Sequence, residues 1–205
     1  MKKVGIIALP GSNSIGIQSA FSRIGVKATI LQSTQDGEMF EKLVLPGVGS
    51  FGPASDFLQN SGFSELIINK HQRQLPVLGI CLGFQLFCTT SEEAHGKHGL
   101  GIIPAAVEKL QESSGRRVPN MGWRPLTSVG ARPGYSLAEG ASFYFSHSFE
   151  VISKSAPSVM AHSEFGGKGV VAAMGLGNLI GVQFHPEKSH DAGLEFLKAF
   201  MSGGK

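Results

Sequence analysis

The stretch from Leu75 to Phe87 constrains this chain more than any other. It opens as a short apolar run of strand character, ending Val77-Leu78-Gly79-Ile80, and continues from Leu82 as a run that extends best as a helix. Between the two sits Cys81, with Gly79 and Gly83 two residues away on either side. Gly-x-Cys-x-Gly at a strand-to-helix junction is the layout of a nucleophile elbow, a tight turn that lifts one reactive side chain above a sheet. A strained turn leaves little room beside the nucleophile, and glycine has no side chain to clash there. A thiol at a helix start also faces the positive end of the helix dipole, which favours thiolate. The competing reading is a buried cysteine at a βα junction, since free cysteine is among the most buried residue types.

Upstream of the elbow the pattern is α/β. Lys3 to Leu9 reads as a buried strand, and Pro10-Gly11-Ser12-Asn13-Ser14 as the turn after it. Ile15 to Ile24 carries Ile17, Phe21 and Ile24 at helical spacing, with Gly25 as its C-terminal glycine. Lys27 to Leu31 and Lys42 to Leu45 are further short strands, and Pro53 to Lys70 is helical with a break near Gly62. This order implies a parallel sheet buried on both faces. From about Gly99 to Gly177 the pattern changes to short alternating runs separated by Gly, Pro and Ser. These predict antiparallel strands laid against one side of the sheet. Leu179 to Phe184 is a final strand, and Asp191 to Met201 a closing amphipathic helix capped by Ser189 or Asp191.

Length and composition narrow the function classes. A chain of 205 residues predicts one domain, 1–205, with a sizeable core. A formal charge of +3, with no Lys/Arg block longer than a pair, gives no footprint for nucleic acid. No apolar run approaches the roughly 20 residues that span a bilayer. Met1-Lys2-Lys3 and the apolar run after it mimic a short signal peptide, but the run is brief and passes at once into a turn and a helix pattern. Cys81 and Cys88, seven apart on one predicted helix, offer no disulfide framework, which predicts a reduced, cytoplasmic setting.

A cysteine nucleophile needs a base, and the base an orienting group. Of seven histidines, His185 ends an apolar strand and is followed by Pro186 and Glu187. Proline pushes the residue before it into extended geometry, so His185 should project from the strand end. In α/β sheets the chemistry gathers at the carboxyl ends of strands, where Cys81 and His185 are both expected. Glu187 would hold one ring nitrogen and stabilise the imidazolium. For an oxyanion, the donors expected are the N–H of Leu82 and a second from Pro46-Gly47-Val48-Gly49, where Gly47 and Gly49 let the backbone around Val48 turn inward. Gly47-Val48-Gly49-Ser50-Phe51-Gly52 also satisfies the dinucleotide fingerprint, but the next strand ends at Cys81, where a ribose-binding acid would be required. His95 and His98 flank Gly96-Lys97 in a polar loop without further metal ligands, so no metal and no cofactor are expected.

Gly79-Ile80-Cys81-Leu82-Gly83-Phe84-Gln85, with Gln183-Phe184-His185-Pro186-Glu187, resembles the class I (triad) glutamine amidotransferases. Pro46-Gly47-Val48-Gly49, Pro119-Asn120-Met121-Gly122-Trp123 and His147-Ser148-Phe149 narrow the likeness to the glutaminase subunits of imidazole glycerol phosphate synthases, over nearly the whole chain. The resemblance implies a flavodoxin-like sheet, mostly parallel with an added antiparallel region. It also implies hydrolysis of L-glutamine through a thioester on Cys81, with Gln85, His147, Ser148 and Gly49 holding the substrate. Ammonia would pass to a (β/α)-barrel cyclase subunit (HisF-like) in a heterodimer, with Met121, Trp123, Lys188 and Asn13 near that interface. The chain departs from the pattern at Arg124, where the family has Asn, and at Phe149, where it has Tyr. Ala8-Leu9-Pro10-Gly11-Ser12-Asn13 also differs from the family's first loop and keeps only the Asn. These departures leave the triad untouched and fit a paralogue serving another synthase. A non-catalytic binding subunit on the same fold would not require Cys81, His185 and Glu187 together.

Overall fold

A computed structural model of the chain describes residues 2–112, 117–130, 137–153 and 159–203. The first half runs β1 (Lys3–Ile7), α1 (Ser14–Arg23), β2 (Lys27–Leu31), α2 (Thr34–Glu38), β3 (Leu43–Leu45), α3 (Phe51–Asn60), α4 (Phe63–Gln72) and β4 (Val77–Ile80). The expected break at Gly62 separates α3 from α4. Helix α2 has no apolar stripe and escaped the periodicity argument. A capping box makes it: the Ser33 hydroxyl accepts from the Asp36 N–H while the Asp36 carboxylate accepts from the Ser33 N–H.

The elbow leads into α5 (Leu82–Gln85), then β5 (Thr90–Ser91), β6 (Ala105–Lys109), β7 (Asn120–Val129), β8 (Ser142–His147), β9 (Phe149–Ser153), β10 (Val159–Phe165), β11 (Lys168–Leu176) and β12 (Leu179–Val182). A 3-10 turn, Pro186–Lys188, and α6 (His190–Ser202) follow. The main sheet has nine strands in the order β2-β1-β3-β4-β12-β11-β10-β7-β8. Its first five are parallel, and β11, β10, β7 and β8 continue it antiparallel. The antiparallel strands therefore extend the sheet edge rather than lie against its face. The exception is a separate three-stranded sheet, β5-β6-β9.

Strands β3, β4 and β12 are buried along their whole length, as expected where helices cover both faces. One apolar cluster joins Val4, Ile6, Leu78 and Ile180 to Phe21 of α1 and Phe196 and Phe200 of α6. A second joins Ile7, Leu43, Leu45 and Val77 to Leu58 and Ile67 of α3 and α4, and to Phe84 and Phe87 after the elbow.

Helix α5 is a single turn, much shorter than expected, and Cys88 lies beyond it. The carbonyls of Leu86, Phe87, Cys88 and Thr89 accept instead from the N–H groups of Leu100, Ile103, Gly101 and Gly99. Those bonds turn the chain toward the small sheet. At the start of α6, Ser189 occupies the N-cap position but its hydroxyl does not cap; it donates to the His185 carbonyl at 2.6 Å and accepts from the Tyr144 N–H at 3.0 Å.

The elbow turn sits directly on backbone. A Cβ at Gly83 would lie 1.9 Å from the Leu45 carbonyl oxygen, and one at Gly181 would lie 1.8 Å from the Phe84 ring. In an open helix Gly→Ala stabilises by about 1 kcal/mol. At Gly83 the sign should reverse, with Gly83→Ala destabilising by about 2 kcal/mol or more. Urea unfolding followed by circular dichroism measures this, and an unchanged or higher midpoint would refute it.

Candidate active site

Cys81 follows β4 with φ 53° and ψ −108°, a conformation that costs a non-glycine residue about 1–3 kcal/mol. Its backbone is tied at both ends. The N–H donates to the Val182 carbonyl at 2.8 Å, as a rung between β4 and β12, and the carbonyl accepts from the Gln85 N–H at 3.1 Å. The ladder and the single turn of α5 together hold the strain. Because α5 is so short, Cys81 meets the free N–H groups of one turn rather than the dipole of a long helix.

His185 stands three residues beyond the end of β12, which stops at Val182 rather than at the expected Phe184, and is fixed from both sides. Its N–H donates to the Tyr144 carbonyl at 2.8 Å, and Phe184 before it is packed among Phe143, Phe145 and Phe196. The ring Nδ1 lies 3.0 Å from Glu187 Oε1, with both side chains 2% exposed. Nε2 is buried without a conventional hydrogen bond and interacts with Cys81. Burial works against a charged ring, but the contacts to Cys81 and Glu187 outweigh it and raise the imidazole to about 10. The three residues expected as nucleophile, base and orienting acid thus meet beyond the carboxyl ends of two neighbouring interior strands, β4 and β12. Cys88 is fully buried, and burial pushes its thiol up to about 12, so it is a core residue.

Cys81 opens into a cleft of about 320 Å³. One wall is Val48, Gly49 and Leu82. Gly47 is buried behind them, pressed so close that a Cβ there would lie 2.4 Å from Leu82 Cβ. Gly49 takes φ +111°, a conformation that side chains rarely adopt. Ser146, His147, Ser148 and Phe149 line the cleft as well, together with Gln85 and Glu93. Gln85 Nε2 is committed inward, donating to the Phe149 carbonyl at 3.1 Å and to Gln183 Oε1 at 3.0 Å. Its carbonyl oxygen is the group left for a ligand.

His147 lines the cleft, yet both ring nitrogens have protein partners. Asn120 Nδ2 donates to Nε2 at 2.9 Å, so Nδ1 carries the proton and donates to the Phe149 carbonyl at 2.7 Å. Arg124 Nε donates in turn to Asn120 Oδ1 at 3.2 Å, which gives the departure at position 124 a structural task. Glu93 escaped notice in the sequence because no spacing rule places an acid of that turn beside Cys81. One carboxylate oxygen accepts from the Phe51 N–H at 3.2 Å, which holds it in the cleft.

Beside the strand end lies an exposed aromatic patch. Trp123 is 44% exposed and Met121 56%. Trp123 stacks on His190 with ring centroids 4.8 Å apart and meets Tyr144 edge-on, and the Lys188 ammonium lies 5.6 Å over the Tyr144 ring. Met121, Trp123 and Lys188 are thus brought together, and His190 joins them unforeseen. Asn13 caps α1, accepting from the Gly16 N–H at 3.3 Å. Among the described residues no group of three or more His, Cys, Asp or Glu could hold a metal ion. No described helix is long and apolar enough to cross a membrane.

The comparisons agree along the chain. The family model described as glutamine amidotransferase class-I matches residues 10–202. The imidazole glycerol phosphate synthase subunit HisH 2 of Parasynechococcus marenigrum is 37% identical over 97% of this chain and 93% of its own length. The corresponding HisH protein of Chlorobaculum tepidum is 36% identical, over 92% of this chain and 94% of its own. Among solved structures, PurLQS from Thermotoga maritima superposes with a TM-score of 0.73 at 19% identity. The match covers 98% of this chain and 97% of that one, a likeness of fold. With a strained Cys81 at the base of its cleft and relatives of this kind along its length, the chain belongs to the class-I glutamine amidotransferase family.

Proposed function

We propose that the chain hydrolyses L-glutamine to glutamate and ammonia as the glutaminase subunit of an imidazole glycerol phosphate synthase, in the cytoplasm, and hands the ammonia to a (β/α)-barrel cyclase subunit. The observation that carries the chemistry is Cys81 in its strained elbow beside the buried His185–Glu187 pair. The HisH names of the relatives carry the pathway. The Cys81 thiolate attacks the side-chain amide carbon of glutamine, and the oxyanion is taken by N–H groups of Leu82 and the Val48–Gly49 loop. The His185 imidazolium gives its proton to the leaving nitrogen, so the C–N bond breaks, ammonia departs and a thioester remains. His185, now neutral, takes a proton from water, whose oxygen attacks the thioester. The C–S bond breaks and glutamate leaves, returning thiolate and imidazolium.

Substrate binding follows from charge. Glu93 and the Gln85 carbonyl oxygen suit the α-ammonium group of glutamine. Ser148 and the main chain of 146–149 also line the cleft, and His147 supports its wall rather than offering its ring. Met121, Trp123 and Lys188 form the docking face for the cyclase, with an aromatic anchor of the kind interfaces favour.

Cys81→Ala should fold and lose glutamine hydrolysis by about a thousandfold or more. Steady-state glutamate release reads this, and near wild-type turnover would refute the nucleophile. A pH profile tests Glu187. Its contact helps raise the imidazole to about 10, and transfer to the leaving nitrogen needs the protonated ring. Activity should therefore fall on the alkaline side as His185 loses its proton, and in Glu187→Gln that fall should begin at lower pH. An unmoved alkaline limb would reduce Glu187 to a structural acid.

The partner assignment makes a separate claim on turnover. Adding the cyclase subunit with its ligand should raise glutamate release by about a hundredfold, the worth of one oxyanion donor brought into place. Gly49 at φ +111° is where that loop can turn, so Gly49→Val should change the activation ratio more than glutamine affinity. Full turnover by the chain alone, unchanged by the cyclase, would overturn this part.

A further inference from the structure

Gln183 lies two residues before His185 on the strand-end segment, and the proposed mechanism gives it no task. It is fully buried, and a buried primary amide must satisfy an oxygen and two N–H groups. Its Oε1 accepts from Gln85 Nε2 at 3.0 Å. That bond decides which way the amide faces and leaves its Nε2 3.5 Å from Cys81 Sγ. The orientation of Gln85 is fixed in the same way, because its Nε2 also donates to the Phe149 carbonyl at 3.1 Å, and an oxygen placed there would face another oxygen. The donors thus run in one direction, from Gln85 through Gln183 to the sulfur.

Opposite Gln183 the sulfur meets an acceptor. The Ser146 carbonyl oxygen lies 3.8 Å from Sγ, where it can receive a thiol proton. The two neighbours therefore suit the two forms of the nucleophile. The thiol points its hydrogen at Ser146, and the thiolate, a stronger acceptor, takes the Gln183 N–H. The titratable groups around the sulfur are His185, backed by Glu187, with His147 and Glu93 in the same cleft. None of them replaces a neutral donor, whose N–H is present at every pH.

We propose that Gln183 belongs to the nucleophile's machinery, its side-chain N–H holding the Cys81 sulfur as thiolate, with Gln85 as the positioning residue that aims it. The inference rests on Cys81 being the nucleophile. It ties the cleft wall to the sulfur, since the same Gln85 amide turns its oxygen to the ligand and its nitrogen to Gln183.

Iodoacetamide alkylation of Cys81 against pH, read by mass spectrometry of the modified peptide, measures the thiolate directly; buried Cys88 serves as the unlabelled control. Gln183→Met keeps length and loses the donor. Gln183→Glu keeps the acceptor for Gln85 and sets a carboxylate against the sulfur. Both should move the alkylation midpoint upward by about one pH unit, the glutamate variant at least as far. Glutamine hydrolysis should lose kcat by about tenfold while KM changes less than about twofold, the split expected when the nucleophile rather than substrate binding is weakened. Should the methionine variant not fold, the glutamate variant decides. An unmoved midpoint in a folded variant overturns the inference, as does a loss confined to thermal stability. Cys81→Ala separates the two readings. If it still hydrolyses glutamine, the nucleophile assignment fails; if it is inactive while the Gln183 variants keep their midpoint, only the role of Gln183 fails.

Discussion

The structure depends on a close approach of backbone to backbone. The turn after β4 lies on the central sheet because Gly83 brings its Cα against the Leu45 carbonyl and Gly181 leaves room for the Phe84 ring. A Cβ at either place would push α5 outward, and with it the strained Cys81. Cys81 keeps φ 53° because the sheet below and the single helical turn above both hold its main chain. The elbow owes its rigidity to packing and ladder bonds and very little to helix length.

Charge in the site follows the same economy. The His185–Glu187 pair is buried, which disfavours a charged ring, but the contact with Glu187 favours the protonated imidazole. The sulfur completes the arrangement, since its contact with the ring adds to that of Glu187 in favouring the protonated imidazole. The cleft adds groups of fixed role around this pair. His147 is held by Asn120 at one ring nitrogen and by the Phe149 carbonyl at the other, and Gln85 is committed inward by its nitrogen.

Much of this could be read from the residues. The continuous apolar runs of β3, β4 and β12 announced strands buried on both faces, and Gly79-Ile80-Cys81-Leu82-Gly83 announced the turn. His185-Pro186-Glu187 announced a ring projecting from a strand end with an acid beside it. Features built by distant partners were hidden. Helix α5 stops after one turn because Leu100, Gly101 and Ile103 take the carbonyls that would have carried it on, and no local propensity reports that. Helix α2 lacks the apolar stripe by which α1 was found. Glu93 and Gln183 acquire neighbours only when β9, α3 and the elbow come together. Arg124 looked like a departure at a partner contact, and its bond to Asn120 ties it instead to the wall of the cleft.

The bond from the Cys81 N–H to the Val182 carbonyl has a bearing on how such a chain can diverge. It makes the position of the sulfur a matter of one rung between β4 and β12, and His185 follows three residues after Val182. Between Cys81 and Val182 the chain runs through β5 to β11, which build the small sheet and the antiparallel extension of the main sheet beyond β12. Insertions or deletions in the loops between those strands leave the rung in register, as long as β8 still holds His185 through the Tyr144 carbonyl. Lineages built on this frame can therefore change the company the protein keeps while inheriting the distance between sulfur and imidazole unaltered.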